Sequence, residues 1–157
     1  MKTCKLSWTI SGLLLVVLAL MSYKFILTGS VKPSSDGRQA IILEDPERDL
    51  VLAEMRTFLT SVQLITKGVS ENDMSQVVKA ARQVGASAQQ AMPGSLVGKL
   101  PLTFKRLGSD THKKFDMLAL DAEALGDPQH ALQQLTELMN NCVACHSTYR
   151  FSTRVSQ

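Results

Sequence analysis

Two thiols and an imidazole fall within five residues near the C-terminus, in the run Cys142-Val143-Ala144-Cys145-His146. The C-x-x-C-H spacing is that of a c-type haem attachment site, where both thiols become thioethers on the porphyrin vinyl groups and the adjacent imidazole reaches the iron. On a helix, Cys142, Cys145 and His146 stand at i, i+3 and i+4, so one face presents all three. Two other chemistries use the same residue types. A thioredoxin-like redox pair expects a surrounding βαβ pattern, whereas the flanks here read as helix. A structural zinc site needs a fourth ligand, and the one further cysteine, Cys4, lies beyond an apolar N-terminal run. The expected cofactor is therefore one covalent haem c with its iron.

That chemistry has to be presented outside the cytoplasm, and the N-terminus supplies a means of export. The chain is uncharged between Lys5 and Lys24, and Trp8 and Tyr23 sit near the ends of the run as interfacial aromatics do. The run extends through Phe25, Ile26 and Leu27 if Lys24 snorkels. Thr28-Gly29-Ser30 is a poor small-x-small cleavage site, so residues 1–28 read as an uncleaved signal anchor and single transmembrane helix. Lys2 and Lys5 then stay in the cytoplasm, and the rest of the chain faces the periplasm from the inner (cytoplasmic) membrane.

The formal net charge of +3 equals the contribution of Lys2, Lys5 and Lys24; from Lys32 onward basic and acidic side chains balance. Such a balance carries no footprint for nucleic acid. Residues 29–44 have the Pro, Ser and Gly content of a short flexible spacer, and one domain follows over residues 45–157.

The domain's periodicity is helical throughout, with no convincing strand alternation. A first helix opens at the Asp45 cap with Pro46 and Glu47, and runs to Lys67 before Gly68 stops it; Val51, Met55, Phe58, Val62 and Ile65 form its apolar seam. A second opens between Ser70 and Asp73, buries Val77, Val78, Ala81, Val84 and Ala88, and ends at Met92-Pro93-Gly94. The stretch through Leu100-Pro101 reads as a loop, with room for one helical turn at Thr103–Leu107. A third helix starts at Ser109 or Asp110 and packs Phe115, Leu118, Ala122 and Leu125. Gly126-Asp127-Pro128 separates it from a fourth, which carries the cysteine motif and Tyr149. The expected fold is all-α: an antiparallel up-down-up-down four-helix bundle behind an N-terminal transmembrane helix. In that arrangement the cysteines face residues two turns into the first and third helices, namely Leu52, Met55, His112 and Phe115.

No residue group calls for catalysis, so the chain does not read as an enzyme. Glu44, Asp45, Glu47 and Asp49 gather at a helix start, where the dipole favours carboxylates. Lys105-Arg106 and Lys113-Lys114 read as a solvated basic face or a patch that steers an acidic redox partner. His112 reads as a surface residue or a propionate partner, and His130 as solvated.

The helical setting of Cys142-Val-Ala-Cys145-His146-Ser-Thr-Tyr149-Arg150, near the end of the last of four helices, resembles the class II c-type cytochromes. This family comprises the cytochromes c′ and their methionine-ligated low-spin relatives. The resemblance covers residues 45–152. It implies that Cys142 and Cys145 hold the haem and that His146 is the fifth, proximal ligand; Arg150, one turn beyond His146, reads as a propionate partner or an exposed terminal arginine. In low-spin members a methionine early in the first helix is the sixth ligand, a role open here to Met55. In cytochromes c′ an apolar residue closes that face and the iron is five-coordinate. An arginine often precedes the distal residue by four, and from Arg48 that count falls on Leu52. The sixth position thus stands between Met55, His112, and no ligand with Leu52 over the iron. The first case implies a membrane-tethered one-electron carrier with a redox partner protein, the last an NO- or CO-binding haem protein. Relatives are often homodimeric through helix faces, so a homodimer is a further expectation.

Overall fold

A computed structural model describes the backbone of residues 2–153 and, within it, the side chains other than those of residues 2–7, 90 and 91. The Cys4, Lys2 and Lys5 side chains of the anchor reading lie outside the described residues, as do residues 154–157. The described chain is mostly helical, with six helices, one of them apolar and N-terminal, and a small sheet.

Helix α1 spans Lys2–Ser22 and passes into a wider turn over Tyr23–Thr28. Trp8–Thr28 is long and apolar enough to cross a membrane, with a mean hydropathy of 2.2 and none of it buried against the rest of the chain. Strands β1 (Val31–Pro33) and β2 (Gln39–Leu43) follow as an antiparallel pair with Val31 opposite Ile41. The stretch expected to be a spacer is therefore a hairpin. Its turn is closed by Ser34 N–H donating to the Arg38 carbonyl (2.9 Å).

Helix α2 spans Asp45–Ser70. Its cap is Glu44 rather than Asp45, and Glu44 N–H donates to Glu47 Oε2 at 2.9 Å in a capping box. Gly68 lies inside this helix and does not stop it. It is glycine for space, because a Cβ there would stand 2.8 Å from a Val77 methyl and 2.9 Å from the Asp73 carbonyl, where α3 turns back.

Helix α3 is short, Met74–Arg82. The expected continuation to Met92 fails because α5 claims the next backbone groups. The Val84 carbonyl faces His112 Nδ1 (2.8 Å), and the Ala86 N–H donates to Asp116 Oδ2 (2.9 Å). A 3₁₀ segment (Ala86–Ala91) and the six-residue α4 (Gly94–Lys99) lead to α5, Leu102–Leu125. That helix begins seven residues before Ser109, because Pro101 is its N-cap rather than a break. Helix α6 spans Pro128–Thr148, with Asp127 Oδ1 accepting the Gln129 and His130 N–H groups (2.9 and 3.2 Å).

Tyr149 lies beyond α6, in strand β3 (Tyr149–Thr153), which pairs in parallel with β2 in register Gln39 to Tyr149 and Ile41 to Phe151. The order β1-β2-β3 overturns the expectation of no strands. This pairing ties the segment before the long helices to the segment after them.

Helices α2, α3, α5 and α6 pack α2 on α3, α3 on α5, α5 on α6 and α6 on α2. Their core holds Ile65, Val77, Ala81, Phe115, Leu118, Leu135 and Leu138. A second cluster joins the sheet to the helix ends through Ile41, Leu43, Val51, Leu96, Leu100 and Tyr149. Burying a large aliphatic side chain contributes about 1.5–3 kcal/mol, so this second cluster fixes the sheet on the helices.

Candidate functional site

The sheet-side cluster opens into a half-open cavity of about 190 Å³. Its walls are Leu52 and Met55 from α2, Phe104 from α5, Cys145 and His146 from α6, and Tyr149, Arg150 and Phe151 from β3, with Arg38 at the hairpin. Four sequence-predicted residues thus meet here: Met55, Cys145, His146 and Arg150. Leu52 stands with Met55 on the α2 wall.

Helix α6 delivers the motif because its apolar face is pinned along its length. Leu135 and Leu138 are buried, and Asn141 Nδ2 donates to Asp110 Oδ2 at 2.8 Å, so the last two turns are fixed in rotation. Cys142, Cys145 and His146 all lie within the helix, as their spacing predicts. Cys145 is half-buried and packs on the sheet-side cluster, His146 is exposed, and Cys142 lies outside the cavity lining. Burial pushes the Cys145 thiol up to about 11, with the neighbouring Cys142 thiol adding to the shift; burial also pushes Cys142 up. Both are therefore neutral thiols at pH 7. A thioredoxin-type cysteine is the opposite case, with a lowered value near a helix N-terminus.

The rim is cationic. Arg38 donates from Nη1 to the His146 carbonyl (3.3 Å) and the Tyr149 carbonyl (3.4 Å), and from Nη2 to Asp36 Oδ2 (2.7 Å). Arg150 Nη1 donates to Ser34 Oγ (3.2 Å) and stands 3.6 Å from Asp36 Oδ2. The Arg38 hydrogen bonds hold the Asp36 carboxyl down at about 2. Two guanidiniums thus share one carboxylate beside the cavity. Part of the lining is aromatic: Phe104 meets Tyr149 and Phe151 edge-on at 5.6 and 5.8 Å, and the Thr103 and Tyr149 hydroxyls are hydrogen-bonded.

His112 does not line this cavity, and the expectation of a surface or propionate-bound residue is corrected. It is only 3% exposed, with Nδ1 on the Val84 carbonyl, Nε2 3.4 Å from Glu54 Oε1, and its ring against Phe58 at 4.9 Å. It sits deep enough to meet α3's end and α2 at once. His130 is partly exposed, 3.4 Å from Asp121 Oδ2. The basic patch is partly engaged, since Lys114 Nζ pairs with Asp110 (3.1 Å) and Lys105 Nζ donates to the Phe25 carbonyl (3.1 Å).

Arg38, Phe104, Tyr149 and Phe151 are cavity residues that the sequence reading did not assign. A signal for Arg38 exists in Asp36-Gly37, a hairpin dipeptide ahead of the apolar run Ala40–Leu43. Among the described residues, no three or more His, Cys, Asp or Glu side chains converge to hold a bare metal ion. The cavity brings the Cys145 sulfur, the His146 imidazole and the Met55 thioether to one apolar space beside Arg38 and Arg150. No protein-family model, curated protein or solved structure matches the chain.

Proposed function

We propose that this chain is a membrane-tethered monohaem c-type cytochrome that carries one electron at a time, its haem domain an up-down-up-down four-helix bundle facing the periplasm from the inner membrane. The observation that carries the reading is the C-x-x-C-H motif at the end of α6, with His146 opening on a cavity whose α2 wall holds Met55. The antiparallel course of α5 and α6, with Asn141 on Asp110 and His130 beside Asp121, agrees with the bundle.

What supports the group is that Met55, Cys145, His146 and Arg150 line one cavity, with Cys142 one helical turn before Cys145 and outside that lining. Cys142 and Cys145, a helical turn apart, would hold haem c by two thioethers, and His146 would give its imidazole to the iron. Met55 would give its thioether to the iron, which raises the reduction potential. Arg150, with Arg38 beside it, would meet the propionates, and Phe104 and Phe151 would exclude water. When bound, the haem supplies the iron(II)/iron(III) couple. His146 being exposed at the rim is consistent with an edge through which a redox partner protein exchanges the electron. Trp8–Thr28 supports the tether.

A second reading is favoured by Leu52, which shares the α2 wall with Met55. If Leu52 covers the iron, the site binds NO or CO. Optical spectra of protein matured with covalent haem, taken oxidised, reduced, and reduced with CO, test both. A low-spin reduced spectrum unmoved by CO is expected. A high-spin spectrum shifted by CO selects the gas-binding reading, and absence of covalent haem overturns both.

A further inference from the structure

The end of the apolar segment is built into the domain. Ser30 N–H donates to the Lys99 carbonyl (2.7 Å), and the Ser30 carbonyl accepts from Ile42 N–H (2.8 Å), one residue before β1 begins. Lys105 Nζ donates to the Phe25 carbonyl (3.1 Å) and stands 3.4 Å from that of Ile26, which caps the backbone acceptors a helix end leaves open. Lys24 Nζ reaches the Gly29 carbonyl at 2.8 Å. Gly29 has φ +65°, and a Cβ there would lie 2.5 Å from the Lys99 carbonyl, so the backbones are in direct contact. A freely swinging tether has none of these bonds.

The same face has the composition of a membrane interface. Tyr23, Phe25, Ile26 and Leu27 are exposed at the segment's end together with Lys24, Val97 is exposed on α4 beside Gly98, which approaches the Phe25 ring, and Arg106 is exposed next to Lys105 in the chain. Phe104, a wall of the cavity, is the residue before Lys105. The same turn of α5 thus contributes Phe104 to the cavity and Lys105 to the contact with the apolar segment.

We propose that the face formed by the end of the apolar segment, α4 and the first turn of α5 rests on the lipid headgroup layer, so that anchor and domain are one rigid unit and the cavity is held beside the membrane. The occupant is the bilayer's own polar layer: the face is continuous with the spanning segment, and its exposed Lys24 and Arg106 complement lipid phosphates. The partner that exchanges electrons at this cavity is then one that lies in or on the same membrane. The inference rests on the membrane reading above, and the placing of the partner rests also on the electron-carrier reading.

The test is photolabelling of the full-length holoprotein in phosphatidylcholine–phosphatidylglycerol vesicles, with a phospholipid carrying a photoreactive group in its headgroup, and mapping of the labelled residues. Labels are expected on Tyr23–Leu27 and also on Gly94–Lys99, and none on Leu125 or Leu132 at the far end of the helices. Lys105→Gln, which removes the bonds to the Phe25 and Ile26 carbonyls, should lower the ratio of α4 to spanning-segment labels. Labels confined to the spanning segment overturn the inference and leave the membrane reading standing. Labels absent from the whole chain overturn both.

Discussion

His112 and Glu54 meet across α5 and α2, Nε2 to Oε1 at 3.4 Å, while the other ring nitrogen faces the Val84 carbonyl at 2.8 Å. Both partners accept hydrogen bonds, so the imidazole satisfies them together only when both nitrogens carry protons. Burial pushes the ring's pKa down, but the Glu54 and Val84 bonds outweigh it and the net direction is upward. The folded state therefore binds the proton more tightly than the unfolded one. Its stabilisation is complete below the ordinary value of 6.5 and is lost as pH rises through the raised folded value. Thermal unfolding followed from about pH 6 to about pH 9 should show Tm falling as pH rises. His112→Gln should flatten that slope; an unchanged slope would assign it to another group.

The covalent claim has a direct chemical check. Cys142→Ala with Cys145→Ala should leave any haem extractable by acid-acetone, whereas the parent chain should retain it through extraction. Both thiols are neutral at pH 7 for the reason of burial given above, so iodoacetamide should modify Cys142 and Cys145 of the haem-free chain, read by peptide mapping apart from Cys4, slowly at that pH and faster as pH approaches about 11. Rapid labelling at neutral pH would contradict the buried setting of Cys145.

Met55 and Leu52 stand on one wall and are separable by spectrum. Met55→Ala should convert a low-spin reduced protein to a high-spin one, while Leu52→Ala should leave the spin state alone. Both changes remove packing, each by about 2 kcal/mol at most for half-buried side chains, so lost stability is common to the pair and the spectrum discriminates. An unchanged spectrum in Met55→Ala removes Met55 from the iron.

How far the sequence reaches depends on whether an interaction is local. The start of α6 is legible because Asp127-Pro128 is a cap followed by proline, and Asp127 does accept the Gln129 and His130 N–H groups. Val77, Phe115 and Leu118 are legible as core from helical period alone, and all three are buried. Arg38 is not, because its place at the cavity comes from the parallel pairing of Gln39 with Tyr149, and the distance along the chain hides it. Phe104 is hidden by Pro101, which reads equally as a break or as the cap that it is. Tyr149-Arg-Phe-Ser-Thr does alternate, with Tyr149 and Thr153 buried and Arg150 exposed, but following a helical seam it is absorbed into that helix's count. The C-x-x-C-H motif is legible because its chemistry is set by local spacing, while the rest of the cavity lining depends on tertiary packing.

Ser61 offers a test of the core itself. It lies on the buried face of α2, fully inaccessible, and its hydroxyl has no hydrogen-bond partner among the described residues. A buried hydroxyl without a partner loses its water and regains nothing, whereas a methyl in the same place loses nothing. Ser61→Ala should therefore stabilise the domain by about 1 kcal/mol, raising Tm by roughly 3–5 °C. Equilibrium urea unfolding of parent and variant, with the slope unchanged and the midpoint raised, is the measurement. A lowered midpoint would mean that the hydroxyl is bonded in solution.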